Sequence, residues 1–243
     1  MAVDQTPLVE RASFTLAPGE LVAVLGPNGA GKTSLLRGAL GLQRHSGGQA
    51  LLADRPVAEH SAIDRARLLS YLPQLRPLAW PTPVRDLVAL GRFAYGAALG
   101  ALHGDDEHAV DEALKACDLI SLAQRRAHEL SGGELARAHF ARALAAQTPL
   151  LVADEPVAAL DPYHQLKIMA LIADYVANGG GALVVLHDVS LAARFADRLL
   201  WMKQGRILAE GTPQETLTAE QLAEVYDVQA VVNGAQVEIL APL

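Results

Sequence analysis

The chain has 243 residues, enough for one large domain, or a domain carrying a sub-lobe, with a sizeable core. A formal net charge of −7 argues against the basic stripe of a nucleic-acid binder, so no nucleic-acid partner is expected. Hydrophobic residues make up 51%, yet the longest candidate membrane span, Leu87 to Leu102, is interrupted by Arg92, and its apolar runs fall short of the roughly 18 residues required. The start, MAVDQTPLVERASF, lacks a basic n-region and a long apolar h-region, which predicts a protein that stays in the cytoplasm.

In chain order, Ser13 to Leu16 and Glu20 to Leu25 read as short strands around a Pro18-Gly19 turn. The second strand runs into Gly26-Pro27-Asn28-Gly29-Ala30-Gly31-Lys32-Thr33-Ser34, which opens a predicted helix, Lys32 to Leu42. This stretch fits the phosphate-binding P-loop pattern, with Gly26, Gly31, Lys32 and Thr33 in the fixed places. Glycines let backbone N–H groups turn toward a polyphosphate, the helix start adds its positive dipole end, and Lys32 brings a full charge to the β and γ phosphates. Thr33 is then placed to hold Mg²⁺. A further strand follows at Gln49 to Ala53, so a β-rich layer flanks the nucleotide.

From Thr82 to about Glu129 the spacing turns helical with no strand signal, which predicts a helical sub-lobe, about 75–146, inserted in an α/β core. Its second helix is expected over Asp105 to Ala123. The single cysteine, Cys117, falls inside it as a small core residue, and His103-Gly-Asp-Asp-Glu-His108 reads as a polar loop capped at Asp105 rather than a metal cluster. The core resumes with a helix from Gly132 to Ala146, a strand Leu150 to Ala153, a helix Pro162 to Asn178, and a strand Ala182 to Leu186. Strands alternating with helices imply a parallel sheet with ligands at its carboxyl edge. A helix near Ser190 to Ala196, a hairpin from Arg198 to Glu210 around Gln204-Gly205, a helical stretch TPQETLTAEQLAEVYDV and a hairpin around Asn233-Gly234 complete the chain.

Two further stretches carry chemistry. Leu150-Leu-Val-Ala-Asp154-Glu155 is an apolar strand ending in two carboxylates, placed to bring Asp154 to Mg²⁺ and Glu155 to the attacking water. Ser131-Gly132-Gly133-Glu134 is a capping box, but a capping box has no need of two glycines, which suit close backbone approach to a second phosphate group.

LSGGE at Leu130 to Glu134, just before the Asp154-Glu155 strand, resembles the signature of ATP-binding cassette (ABC) ATPases. The other family marks appear in order: the P-loop, Gln74 in YLPQ, Ala159-Leu160-Asp161 as D-loop, and His187 in VVLHDVS. The resemblance covers nearly the whole chain, 1–243, as a single ABC ATPase domain: an α/β P-loop NTPase core with a flanking antiparallel β layer and an inserted helical sub-lobe. It implies that ATP and Mg²⁺ are bound, with Thr33, Gln74 and Asp154 on the metal and Asp161 among the nucleotide contacts. It also implies Glu155 as general base, His187 on the γ-phosphate, and Lys32 and Gln74 assisting the reaction. Two copies would face each other head to tail, the P-loop of one meeting Ser131, Gly132 and Gly133 of the other.

Two positions depart from the family pattern. Val3 aligns where relatives carry an adenine-stacking aromatic, and Ala159 stands where many carry Ser. The segment RLLSYLPQLRPLAWPTPVRDLVALGRFAYG is similar to ATPases serving importers of iron-siderophores, haem and vitamin B12, as is the tail GRILAEGTPQETLTAEQLAEVYDV. That likeness implies a homodimer under two permease subunits, indirectly served by a periplasmic substrate-binding protein, at the cytoplasmic face of the bacterial inner membrane. A soluble, non-transport ABC ATPase and an exporter subunit are the alternative readings.

Overall fold

The structure, a computed structural model, describes residues 2–3, 6–44, 46–74, 81–97 and 102–243. In chain order its elements are β1 (Ala2–Val3), β2 (Thr6–Pro7), β3 (Leu21–Leu25), α1 (Lys32–Ala39), β4 (Leu51–Leu52), β5 (Arg55–Pro56), α2 (Ala62–Leu68), β6 (Leu69–Leu72), α3 (Val84–Ala89) and α4 (Asp105–Ala116). There follow α5 (Gly132–Ala145), β7 (Leu150–Asp154), α6 (Pro162–Ala177), β8 (Gly181–Val185), α7 (Val189–Phe195), β9 (Arg198–Lys203), β10 (Arg206–Gly211), α8 (Pro213–Thr216), α9 (Ala219–Tyr226), β11 (Val228–Asn233) and β12 (Gln236–Pro242). They form two units, Met1–Glu59 with Gly181–Leu243, and His60–Gly180.

In the first unit β3 lies between β8 and β9 and is parallel to both, with Val22 opposite Leu183 and Arg198. β3 and β8 are buried along their whole length, as strands covered on both faces must be, and their residues are accordingly apolar or small. β10 returns antiparallel along β9 through a two-residue turn in which Gln204 and Gly205 both have positive φ, +49° and +78°. That is the turn expected from the sequence. The antiparallel pairs β1–β2, β4–β5 and β11–β12 complete this unit. The loop between β11 and β12 is Gly234-Ala235, with Asn233 still paired to Gln236.

In the second unit β6 and β7 are parallel, Leu69 opposite Leu150 and Leu72 opposite Ala153. Helices α3, α4 and α5 pack on one another, and Val84, Leu87, Val88, Val110, Leu114 and Phe140 on them are buried. Among the described residues no helix is long and apolar enough to cross a membrane.

Four expectations need correction. Ser13 to Leu16 forms no strand: the Thr15 carbonyl accepts from Arg198 Nη2 at 2.6 Å and the next turn is held by the Ala17 amide donating to Glu20 at 3.1 Å. Helix α1 stops at Ala39 rather than Leu42, because Gly41 turns left-handed at φ +66°. The helix expected to reach Ala123 ends at Ala116. Asp118 is left-handed there at φ +54°, and buried Arg137 of α5 takes the carbonyls of Cys117 and Asp118 at 2.8 and 3.1 Å. Finally α4 is preceded by Gly104, with Asp105 its first helical residue rather than its cap. Cys117 is buried as expected, and burial pushes its thiol up to about 12, which leaves it unreactive at neutral pH.

Candidate functional site

The P-loop takes its shape from β3. Held by parallel neighbours on both sides, the strand delivers Gly26 at its carboxyl end with φ +151°, where a Cβ would collide with the Met202 carbonyl oxygen beyond it. Gly29 is at φ +80° and Gly31 at +97°, and a Cβ on Gly31 would come within 2.7 Å of the Leu8 carbonyl oxygen. The Ala30 amide closes the loop onto the Pro27 carbonyl at 3.1 Å, and the Ala30 carbonyl accepts from Gly205 at 2.9 Å. Glycine is therefore required twice over at Gly26 and Gly31, by backbone conformation and by space.

Gly31 has no side chain to cap α1, and the helix dipole favours an anion at this helix start. Lys32, only 6% exposed, donates its ammonium to the carbonyls of Gly26 at 2.6 Å and Pro27 at 3.0 Å. The lysine charge is thus folded onto the loop that a phosphate would occupy. Thr33 and Ser34 follow half-buried in the first turn, with Asn28 exposed at the loop tip.

His187 belongs to the same edge. It follows β8, whose Val185 is opposite Val24, and the Leu186 amide donates to the Val24 carbonyl at 3.2 Å. Two adjacent parallel strands therefore bring the P-loop and His187 to one carboxyl edge, with His187 exposed. Asp188 then caps α7, accepting from the Leu191 amide at 2.8 Å.

The second unit repeats this logic. With Leu72 opposite Ala153, Gln74 beyond β6 and Asp154-Glu155 at the end of β7 share one sheet edge. Asp154 is fully buried and Gln74 exposed. Glu155 is left-handed at φ +53°, a conformation that costs a non-glycine residue on the order of 1 kcal/mol and ends the strand.

The signature forms the capping box expected of it. Ser131 accepts the Glu134 amide at 3.3 Å, and the Glu134 carboxylate accepts the Ser131 amide at 2.8 Å, which holds Glu134 below the usual carboxylate range. Among the described residues a Cβ on Gly132 would meet nothing within 4 Å, and one on Gly133 would reach only ordinary contact, 3.6 Å from the Ala159 carbonyl. The D-loop lies against this helix start. Asp161 caps α6, its carboxylate accepting the His164 amide at 3.0 Å and lying 2.7 Å from Nδ1 of that ring. These bonds, the backbone one first, hold Asp161 low as well. Gln165 Nε2 donates to the Leu160 carbonyl at 3.1 Å and helps shape the loop.

So P-loop and His187 come together in one unit, and Gln74, Asp154 and Glu155, with Ser131 to Gly133 and Asp161, belong to the other. Thr33 in the first unit, and Gln74 and Asp154 in the second, each carry a hard oxygen donor of the kind Mg²⁺ prefers. The side chain of Val3, at the expected adenine position, lies outside the described residues.

One positioning residue escaped sequence reasoning. Arg92, 5% exposed, donates from Nε to Asp106 at 2.7 Å and from Nη1 to the carbonyls of Ala145 and Ala146 at 3.2 and 3.4 Å, and its guanidinium lies 3.9 Å from the Tyr95 ring centre. It fastens the carboxyl end of α5, whose amino end is the signature. Gly91 before it lets the two backbones touch, since a Cβ there would collide with the Arg142 carbonyl. A lone cation in an apolar run, followed by Asp105-Asp106-Glu107, was the available signal.

Residues 9–158 match the family described as ABC transporter. The chain is 40% identical to the hemin import ATP-binding protein HmuV of Nocardia farcinica, over 94% of this chain and 81% of that protein. It is 40% identical to the protein of the same name from Pseudomonas aeruginosa, over 93% of this chain and 89% of that one. Among solved structures, a dimeric ATP-binding cassette in a post-hydrolysis state, bound to ADP and Pi, matches with a TM-score of 0.73 at 28% identity, covering 84% of this chain and 90% of that chain.

Proposed function

Because this chain belongs to the ABC transporter family, we propose that it is the ATP-hydrolysing subunit of a haem importer. The observation that carries the cargo is the identity to haem-import ATP-binding proteins over more than nine-tenths of the chain. The whole of 1–243 works as a single ATPase domain whose helical sub-lobe, about 75–146, faces the permease.

The first-turn amides of α1 and the Lys32 ammonium bind the ATP phosphates, and Lys32 exchanges the Gly26 and Pro27 carbonyls for phosphate oxygens. Thr33, Gln74 and Asp154 would hold Mg²⁺, which would supply positive charge against that developing on the phosphates. Glu155 takes a proton from the attacking water, and His187 donates to the γ-phosphate and aligns that water. Ser131, Gly132 and Gly133 of a second copy, with Asp161 beside them, close on the nucleotide of the first. ATP binding thereby shuts a head-to-tail homodimer, and hydrolysis reopens it. Two permease subunits receive that motion, a periplasmic binding protein delivers the haem, and the ATPase sits peripherally on the cytoplasmic face of the inner membrane.

The test is to purify the chain with its permease and measure ATP turnover with binding protein that is empty, or loaded with haem, ferric siderophore or cobalamin. Stimulation by the haem-loaded protein alone is expected. Stimulation by another cargo would overturn the haem assignment, and turnover without any permease association would favour a soluble ATPase. In the same assay Glu155→Gln should lower turnover by about 100-fold or more while ATP still binds; wild-type turnover would remove Glu155 as the base.

A further inference from the structure

Tyr226, the last residue of α9, meets the P-loop from the far end of the chain. β9 runs beside β3 with Trp201 opposite Leu25, and the next carbonyl, Met202, presses on Gly26. Lys203 then reaches to the end of α9. Its ammonium donates to the Glu224 carbonyl at 2.7 Å and to both Asp227 carboxylate oxygens at 2.9 and 2.8 Å, bracketing Tyr226 on either side. Asp227, left-handed at φ +58°, ends the helix and accepts the Leu243 amide at 2.8 Å. Three separate ties thus hold Tyr226 in place.

The Tyr226 hydroxyl is shut away from solvent, with the Gly26 backbone N–H beside it but no hydrogen bond of ordinary geometry formed. Burial pushes it up to about 12, so it is a neutral phenol at working pH. A buried hydroxyl without a bond is unfavourable, and phenylalanine would fill the same space without that penalty. Lys32 holds the Gly26 and Pro27 carbonyls, and the Gly26 backbone, free of a Cβ, can rotate when that hold is released.

We propose that Tyr226 is a positioning residue for the P-loop, its hydroxyl accepting the Gly26 amide once a polyphosphate is seated and Lys32 has turned to it. The tail after β10 is then part of the nucleotide site. This rests on the P-loop as the nucleotide-binding element.

The test is Tyr226→Phe, read by ATP affinity, steady-state kinetics and melting of the nucleotide-free protein. Kd and KM for ATP should rise about fivefold to tenfold, the loss of one hydrogen bond, with kcat at saturation within about twofold. The nucleotide-free Tm should be unchanged or higher. Unchanged ATP affinity overturns the proposal, as does a fall in kcat with KM unchanged. A lower nucleotide-free Tm overturns it too, since the hydroxyl would then be bonded already in the empty loop. Lys32→Ala in the same binding assay keeps the two readings apart. Lost binding there beside wild-type affinity in Tyr226→Phe removes the role of Tyr226 alone, whereas wild-type affinity in Lys32→Ala removes the P-loop reading itself.

Discussion

The two glycine-rich motifs of this chain, at Gly26 to Gly31 and at Gly132-Gly133, both open helices and differ in what requires the glycines. At Gly26 and Gly31 the requirement is internal: φ is positive and a Cβ would strike the carbonyl of Met202 or Leu8. At Gly132 and Gly133 the chain itself asks for nothing, since a Cβ would meet open space at one and ordinary contact at the other. Among the described residues these glycines leave room, which the proposed second copy and its nucleotide would fill. One motif is built by the fold, and the other is left open by it.

The largest expected effect falls on the first motif. Gly31→Ala adds a Cβ to a left-handed residue 2.7 Å from a carbonyl oxygen, which should destabilise the protein by about 3 kcal/mol. For a chain of this size that is a Tm lower by roughly 6–12 °C, measurable by thermal denaturation without nucleotide. A variant that melts with wild type would show that the loop can re-form around a side chain and that the fold does not require glycine at Gly31.

Gly132→Ala should do the opposite. Alanine is the better helix former by up to about 1 kcal/mol, so the nucleotide-free Tm should stay level or rise by a few degrees. ATP turnover should nevertheless fall on the order of 100-fold, because a methyl group would hold the backbone of α5 away from the phosphate that the proposed partner copy would present. Wild-type turnover would mean that the open space at Gly132 has no occupant, and a lower Tm would mean that the fold needs this glycine after all.

The same contrast explains what could be read from the chain directly. The P-loop, the Gln204-Gly205 turn, the Ser131–Glu134 capping box and the buried strand to Asp154 are local patterns, and each stands where expected. What stayed hidden depends on partners far away in sequence. Ser13 to Leu16 reads as a strand until Arg198, from β9, takes the Thr15 carbonyl. Helix α2 was missed because its seven residues bury no side chain, so no apolar stripe announces it, although Ser61 caps it by accepting the Asp64 amide at 3.1 Å. Arg92 read only as an interruption of an apolar run, since Asp106 and the end of α5 become its partners only in the fold. Tyr226 and Gly26 stand at opposite ends of the chain, and no spacing rule joins them.

The smallest effect separates the two requirements within a single turn of helix. Glu134 serves its own helix: it accepts the Ser131 amide and places a negative charge at the start of α5, whereas Gly132, two residues earlier, leaves room for a neighbour. Glu134→Gln keeps an acceptor for the capping box and removes the charge, so at pH 7 it should cost a few tenths of a kcal/mol, about 1 °C in Tm. The sign with pH follows from the depressed carboxyl. Its stabilisation is fully present above the ordinary carboxylate range and is lost as pH falls through the lower, folded-state value. The gap between wild type and Glu134→Gln should therefore close on acidification below about pH 4, the ordinary carboxylate value. Adding Gly132→Ala to Glu134→Gln should leave that pH dependence unchanged, because Gly132→Ala acts through the absent neighbour and Glu134→Gln through the helix. A gap that altered with the alanine in place would show that the capping box and the open backbone are one device, and the line drawn between the fold's needs and the neighbour's would have to move inside the signature.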